Sequence, residues 1–181
     1  MAVCRFCLLY LLFLSNISIC YAEQHHVVAV SDGDTITVLT PDKQQVKIRL
    51  YGIDCPEMKQ AFGNRARQAT KEFVGGKTVD IQPMDTDRYG RIVAVVSMPD
   101  GSTLNESLVS AGLAWVYPQY CKQKDICDSL RELEAAARTE KLGLWADKSP
   151  VEPWEWRKRK NTKDPLDDIN QDMRLLDLLK S

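Results

Sequence analysis

Residues 27–57 read VVAVSDGDTITVLTPDKQQVKIRLYGIDCPE, and this stretch decides the fold. Val27 to Val30 and Thr35 to Leu39 are short runs of β-formers flanking Ser31-Asp32-Gly33-Asp34, the composition of a hairpin turn. Pro41-Asp42 marks a second turn. Val46, Ile48 and Leu50 then alternate with Lys47, Arg49 and Tyr51, so an apolar face forms and Arg49 lies on the other side. Thr78 to Ile81 and Ile92 to Val96 supply two further strands, joined across Asp85-Thr86-Asp87-Arg88-Tyr89-Gly90.

Helical patterns interrupt this meander. Phe62, Ala66, Ala69 and Phe73 share a helical face that stops at Gly75-Gly76. Thr103 with Glu106 makes a capping box before Leu104, Leu108 and Ala111. Ser129 with Glu132 makes a second before Leu130, Leu133 and Ala137, with Gly143 as the stop. The expected class is α+β: five strands closed into a small barrel, which removes exposed edges, with about three helices packed on it.

The chain ends frame this core. Arg5 is the first charge, an apolar run from Phe6 to Leu14 follows, and Cys20-Tyr21-Ala22 sets small residues before Glu23. The run is too short to span a bilayer and reads as a secretory signal over residues 1–22, leaving the mature chain without stable membrane association. The core domain is expected over 23–149. Beyond it, 150–181 form a basic and polar tail, holding Arg157-Lys158-Arg159-Lys160, which is either a phosphate contact or a solvated cluster. Removing the signal takes one base, leaving 23 basic against 25 acidic residues. No global positive field exists, which argues against an architectural DNA binder, so any polyanion must be met by a local cluster. Cys55, Cys121 and Cys127 remain after cleavage. In an oxidising compartment the close pair Cys121 and Cys127 is the expected disulfide, since zinc would lack a nearby His.

The chemistry-bearing residues sit at strand ends. Asp34 opens one strand and Asp54 closes another, so a folded sheet can bring both carboxylates together. Two carboxylates plus a backbone carbonyl offer hard oxygen ligands suited to calcium or magnesium, with water completing the shell, and Pro56 restrains the Cys55 backbone. A thiol is a poor ligand for such an ion. Asp-Gly-Asp alone is an ordinary turn and each arginine alone an ordinary surface residue. Arg49 and Arg91 gain meaning together, because guanidinium is the donor best matched to a phosphate accumulating charge.

The set Asp32-Gly33-Asp34-Thr35, Ile48-Arg49-Leu50-Tyr51-Gly52-Ile53-Asp54-Cys55-Pro56-Glu57 and Asp87-Arg88-Tyr89-Gly90-Arg91 resembles the staphylococcal nuclease (thermonuclease) family. Asn105-Glu106-Ser107-Leu108-Val109, Gly112-Leu113-Ala114 and Lys141-Leu142-Gly143-Leu144-Trp145 extend the likeness over roughly residues 27–147. The resemblance implies an OB-fold barrel and a calcium-dependent endonuclease that hydrolyses DNA and RNA, leaving 3′-phosphate ends. It implies metal binding by Asp34, Asp54 and the Cys55 main-chain carbonyl, with Asp32 close behind. It assigns Glu57 to the attacking water, and Arg49 and Arg91 to the phosphate. Tyr89, Tyr117 and Tyr120 fall near its nucleotide-contacting positions. The family representative has Thr where this chain has Cys55, and the loop after Glu57 is shorter here. A secreted or periplasmic monomer is expected. The rival expectation is a non-catalytic OB-fold module that binds nucleic acid or protein, since folds outlast activities. It would lose some of these residues, and all are present.

Overall fold

The computed structural model describes residues 24–162. Five strands close into a barrel in the order β1 (Gln24–Asp32), β2 (Thr35–Leu39), β3 (Gln45–Leu50), β6 (Ile92–Ser97) and β5 (Thr78–Thr86). A two-residue strand β4 (Ile53–Asp54) pairs outside it with β7 (Trp115–Val116). All barrel pairings are antiparallel except β3 with β6, and that parallel seam closes the cylinder. The expected five-stranded α+β barrel is the observed fold.

The period-2 alternation read in β3 is observed, with Ile48 and Leu50 turned inward, whereas Thr35 to Val38 of β2 are buried on both faces. Ile36, Val38, Ile48 and Leu50 are almost wholly buried and, with Val27, Val96 and Leu108, form its core. β5 runs further than the apolar signal Thr78 to Ile81, passing through Pro83 to Thr86. A register shift between Pro83 and Asp85 accommodates the missing donor, as a bulge does.

Four α-helices lie among the described residues, against the three expected: α1 (Gly63–Val74), α2 (Leu104–Ser110), α3 (Lys124–Thr139) and α4 (Pro153–Thr162). The Thr103 box caps α2, with the Glu106 N–H donating to Thr103 Oγ1 at 3.1 Å. Inside α2, Asn105 is buried and ties the helix to the barrel. Its Oδ1 accepts from the Val96 N–H and its Nδ2 donates to the Tyr51 carbonyl.

The second box does not start a helix. α3 begins five residues earlier, at Lys124, and Ser129 is interior to it, donating instead to Glu106 Oε1 at 3.0 Å. The true entry is fixed from outside: Tyr51 Oη accepts from the N–H groups of Lys122 and Gln123. Cys121, paired with Cys127 in the structure, closes the same corner. At the far end Lys141 adopts positive φ and a 3-10 turn (Gly143–Ala146) follows, so α3 stops before Gly143.

α4 occupies part of the stretch expected as a tail. Pro153 is its first residue, where a missing N–H costs nothing, and the Trp156 N–H donates to the Glu152 carbonyl. Aromatic packing docks it. Trp154 stacks on Tyr117 at 4.7 Å with planes 9° apart and meets Trp115 edge-on at 6.0 Å. The signal-like segment 1–22 and the tail beyond 162 lie outside the described residues.

Candidate active site

The barrel register brings the chemistry together. Thr35 pairs with Arg49 across β2 and β3, so Asp34 comes beside Arg49, and Leu50 donates its N–H to the Asp34 carbonyl. β3 leads through Gly52 into β4, which carries Asp54 to the same end. In the parallel seam Ile48 pairs with Ile92, placing Arg91 just outside the strand on that rim. Asp32, Asp34, Arg49, Asp54, Cys55, Glu57, Tyr89, Arg91, Tyr117 and Tyr120, all the residues singled out from the sequence for this chemistry, line one cleft of about 680 Å³.

Arg49 is the centre of that cleft. Its guanidinium bridges the two aspartates, with one terminal nitrogen on Asp34 Oδ2 and the other 2.7 Å from Asp54 Oδ1. Both carboxylates are buried, Asp54 almost wholly. Buried carboxylates require charge compensation, and the structure supplies it through guanidinium groups. Two acid groups reached by one fork are also close enough to share one cation.

The donor chemistry fits a hard ion contributed by these two carboxylates and a main-chain oxygen. Among the described residues no three His, Cys, Asp or Glu side chains form a metal-binding group, so a carbonyl and water are needed to complete a shell. Cys55 does not offer its sulfur. Burial pushes the thiol's pKa up, with Arg49 opposing, and a thiol is in any case a poor ligand for a hard cation. The side chain packs where a Cβ on Gly33 would come within 2.8 Å of Sγ. Meanwhile the Cys55 N–H donates to Asp34 Oδ2 at 2.7 Å, fixing that carboxylate against β4.

Arg91 is held at the rim by its own turn. Asp87 accepts the Tyr89 and Arg91 N–H groups on Oδ1, and Arg91 Nε at 2.6 Å on Oδ2. Burial would raise the Asp87 carboxyl, but the hydrogen bonds from Arg91 and Tyr89 outweigh it and hold the group below the usual range. With Nε spent, Arg91 keeps its terminal nitrogens for the cleft, one 3.4 Å from Thr35 Oγ1. Tyr89 is exposed beside it, its ring 5.6 Å from the guanidinium carbon.

Glu57 is placed by backbone. Its N–H donates to Gln60 Oε1 and its carbonyl accepts from the Gln60 N–H. α1 starts against it at Gly63, where an added Cβ would fall 1.9 Å from the Glu57 carbonyl oxygen. Gly63→Ala is therefore expected to cost about 3 kcal/mol of stability and to displace Glu57. Urea denaturation at wild-type midpoint would contradict this.

The sequence reading missed how Glu57 is held. Arg157 of α4 donates NH1 to Glu57 Oε1 at 2.7 Å and NH2 to Asp54 Oδ2 at 2.7 Å. Burial works against its charge, yet the hydrogen bonds to Asp54 and Glu57 push it further toward the charged form. The available signal was Pro153 ahead of Trp154, Trp156 and Arg157: a proline at a helix start followed by docking aromatics.

Comparison with known proteins identifies the family. Residues 47–147 match the family model described as Staphylococcal nuclease homologue. An "Uncharacterized endonuclease" of Escherichia coli is 45% identical over 150 residues, covering 82% of this chain and 95% of the relative. The "Micrococcal nuclease" of Shigella flexneri is 41% identical over 140 residues, 73% of this chain and 79% of that protein. "Staphylococcal-like nuclease CAN1" of Arabidopsis thaliana is 38% identical over 117 residues, 65% of this chain and 35% of its own length. With a matching barrel, a family model over more than half its length and a relative matched nearly end to end, this chain belongs to the staphylococcal nuclease homologue family.

Proposed function

We propose that the chain is a calcium-dependent endonuclease that hydrolyses DNA and RNA to 3′-phosphate ends. Family membership and relatives named as endonucleases make it a nuclease, a hydrolase of phosphodiester bonds. The ion and product are the finer proposal. The observation that carries it is Arg49 bridging Asp34 and Asp54 in a cleft shared with Glu57 and Arg91.

A calcium ion held by Asp34, Asp54 and the Cys55 carbonyl would polarise a phosphate oxygen and template the substrate. Calcium suits this set better than magnesium because it tolerates irregular oxygen shells. Glu57 orients a water for in-line attack and accepts its proton. The water oxygen bonds to phosphorus, the P–O5′ bond breaks with its electron pair going to O5′, which takes a proton from solvent, and Glu57 returns its proton to solvent, leaving a 3′-phosphate and a 5′-hydroxyl. Arg49 and Arg91 donate to the non-bridging oxygens as their charge grows. Tyr89 and Tyr120, both exposed, offer ring faces to the bases, and Tyr117, one face of which Trp154 covers, lines the cleft beside α4.

Plasmid and single-stranded DNA and RNA, incubated with calcium, with magnesium and with a calcium chelator, test the activity. Cleavage is expected with calcium and loss of cleavage with chelator, and end-labelling should give 3′-phosphates. Intact substrate in every condition, from folded protein, would sink the reading. We also propose export with removal of residues 1–22, a monomeric mature form, and a Cys121–Cys127 bridge formed in the oxidising compartment. Intact mass of the exported product checks the new N-terminus at Glu23 and the two missing hydrogens.

A further inference from the structure

α4 is tied to the cleft at three points. Trp154 lies flat on Tyr117, a wall of the cleft. Gln60, which accepts the Glu57 N–H, donates Nε2 to the Val151 carbonyl at 2.6 Å, just before the helix. One turn after Trp154, and so on the same helix face, Arg157 enters the cleft. The anchor, the segment carrying Glu57 and the arginine are thus one connected unit, assembled from residues about one hundred positions apart.

Asp54 carries two guanidinium groups. Arg49 takes Oδ1, while Arg157 reaches both oxygens, at 2.7 and 3.3 Å. An ionised carboxylate is an acceptor only, with a limited number of lone-pair sites. When Asp54 serves as a cation ligand those sites are committed, and a divalent charge stands beside the guanidinium. Arg157 then keeps Glu57 on one terminal nitrogen and has the other, now released from Asp54, to offer to a further anion. Its side chain is 40% exposed and long, so it can turn without undocking the helix that Trp154 holds. The acceptor that enters the cleft at that moment is the substrate phosphate, whose oxygens match a guanidinium fork.

We propose that α4 completes the active site and that Arg157 is a third arginine, contributed from outside the barrel, that binds the substrate phosphodiester. The inference rests on the nuclease reading above and adds a phosphate-binding residue to it. The same side chain also holds Asp54 and Glu57 in position. Arg49 and Arg91 grip the phosphate from the barrel, and Arg157 grips it from the docked helix.

The test uses the mature chain, a fluorescein-labelled single-stranded oligonucleotide with phosphorothioate linkages, and calcium. Fluorescence anisotropy reads binding without turnover. Arg157→Ala is expected to weaken oligonucleotide affinity about tenfold or more; its thermal midpoint falls because buried Asp54 keeps only Arg49, so binding is read below that midpoint on protein with a folded far-UV spectrum. Arg157→Lys should recover part of the loss, since an ammonium restores charge without the fork. Wild-type affinity in Arg157→Ala overturns the proposal. That holds even if calorimetry shows tighter calcium binding, a result that would leave Arg157 serving the carboxylates alone. Wild-type protein that binds no oligonucleotide in calcium would overturn the nuclease reading as well. Binding by wild type with no loss in the variant overturns only the role of Arg157.

Discussion

Asp54→Asn is expected to lower the rate of phosphodiester cleavage about a thousandfold or more and to weaken binding of the proposed calcium ion by about two orders of magnitude. The reason is that Asp54 is the most connected acid in the cleft. It is buried, accepts from Arg49 on one oxygen and from Arg157 on both, and in the proposed mechanism is one of two carboxylates that would hold the ion. Asparagine keeps the shape but removes the charge and leaves one acceptor oxygen. Its amide nitrogen is a donor set among guanidinium donors, so Arg49 and Arg157 lose their fixed geometry along with the ion. Loss of ligand charge and loss of arginine placement fall on the same variant, which is why its effect exceeds that of a rim residue. Calcium calorimetry and initial rates on folded protein check it. Wild-type calcium affinity in Asp54→Asn would remove this residue from the ligand set.

How much of this the sequence disclosed depends on whether the cause is local. β2 and β3 were legible because alternation of Val, Ile and Leu with polar residues is a property of the strand itself. The start of α3 was not, because its entry is fixed by Tyr51 Oη, seventy residues upstream. A local Ser129-x-x-Glu132 spacing mimicked a cap, while the Ser129 hydroxyl serves a tertiary contact to Glu106. β5 outran its apolar signal because partner β6 continues pairing past Pro83. In the site, residue types at strand ends suggested the chemistry. Their meeting depends on the Thr35–Arg49 register and on the parallel β3–β6 seam, which no strand pattern specifies. Arg157 lay furthest from view, since a basic run reads the same in a solvated tail and in a docked helix.

Arg91→Lys lowers kcat by about a hundredfold to a thousandfold, with a smaller change in KM. Arg91 meets two demands at once. Nε binds Asp87, which fixes the side chain in the 87–91 turn, and the terminal nitrogens stay directed into the cleft. A lysine ammonium is a point donor on a flexible stem. It can remain with Asp87 and miss the phosphate, or reach the phosphate and lose its fixed position. Because the charge on the phosphate oxygens grows during attack, the lost fork is felt more in the transition state than in the bound substrate, so kcat carries the loss. Asp87→Ala should show a milder form of the defect, about tenfold, since the guanidinium remains while its orienting partner is gone. Paired kcat and KM measurements on both variants decide it. Turnover of Arg91→Lys at the wild-type rate would show that position 91 supplies charge alone. A drop confined to KM would mean that Arg91 binds the ground state and the transition state equally.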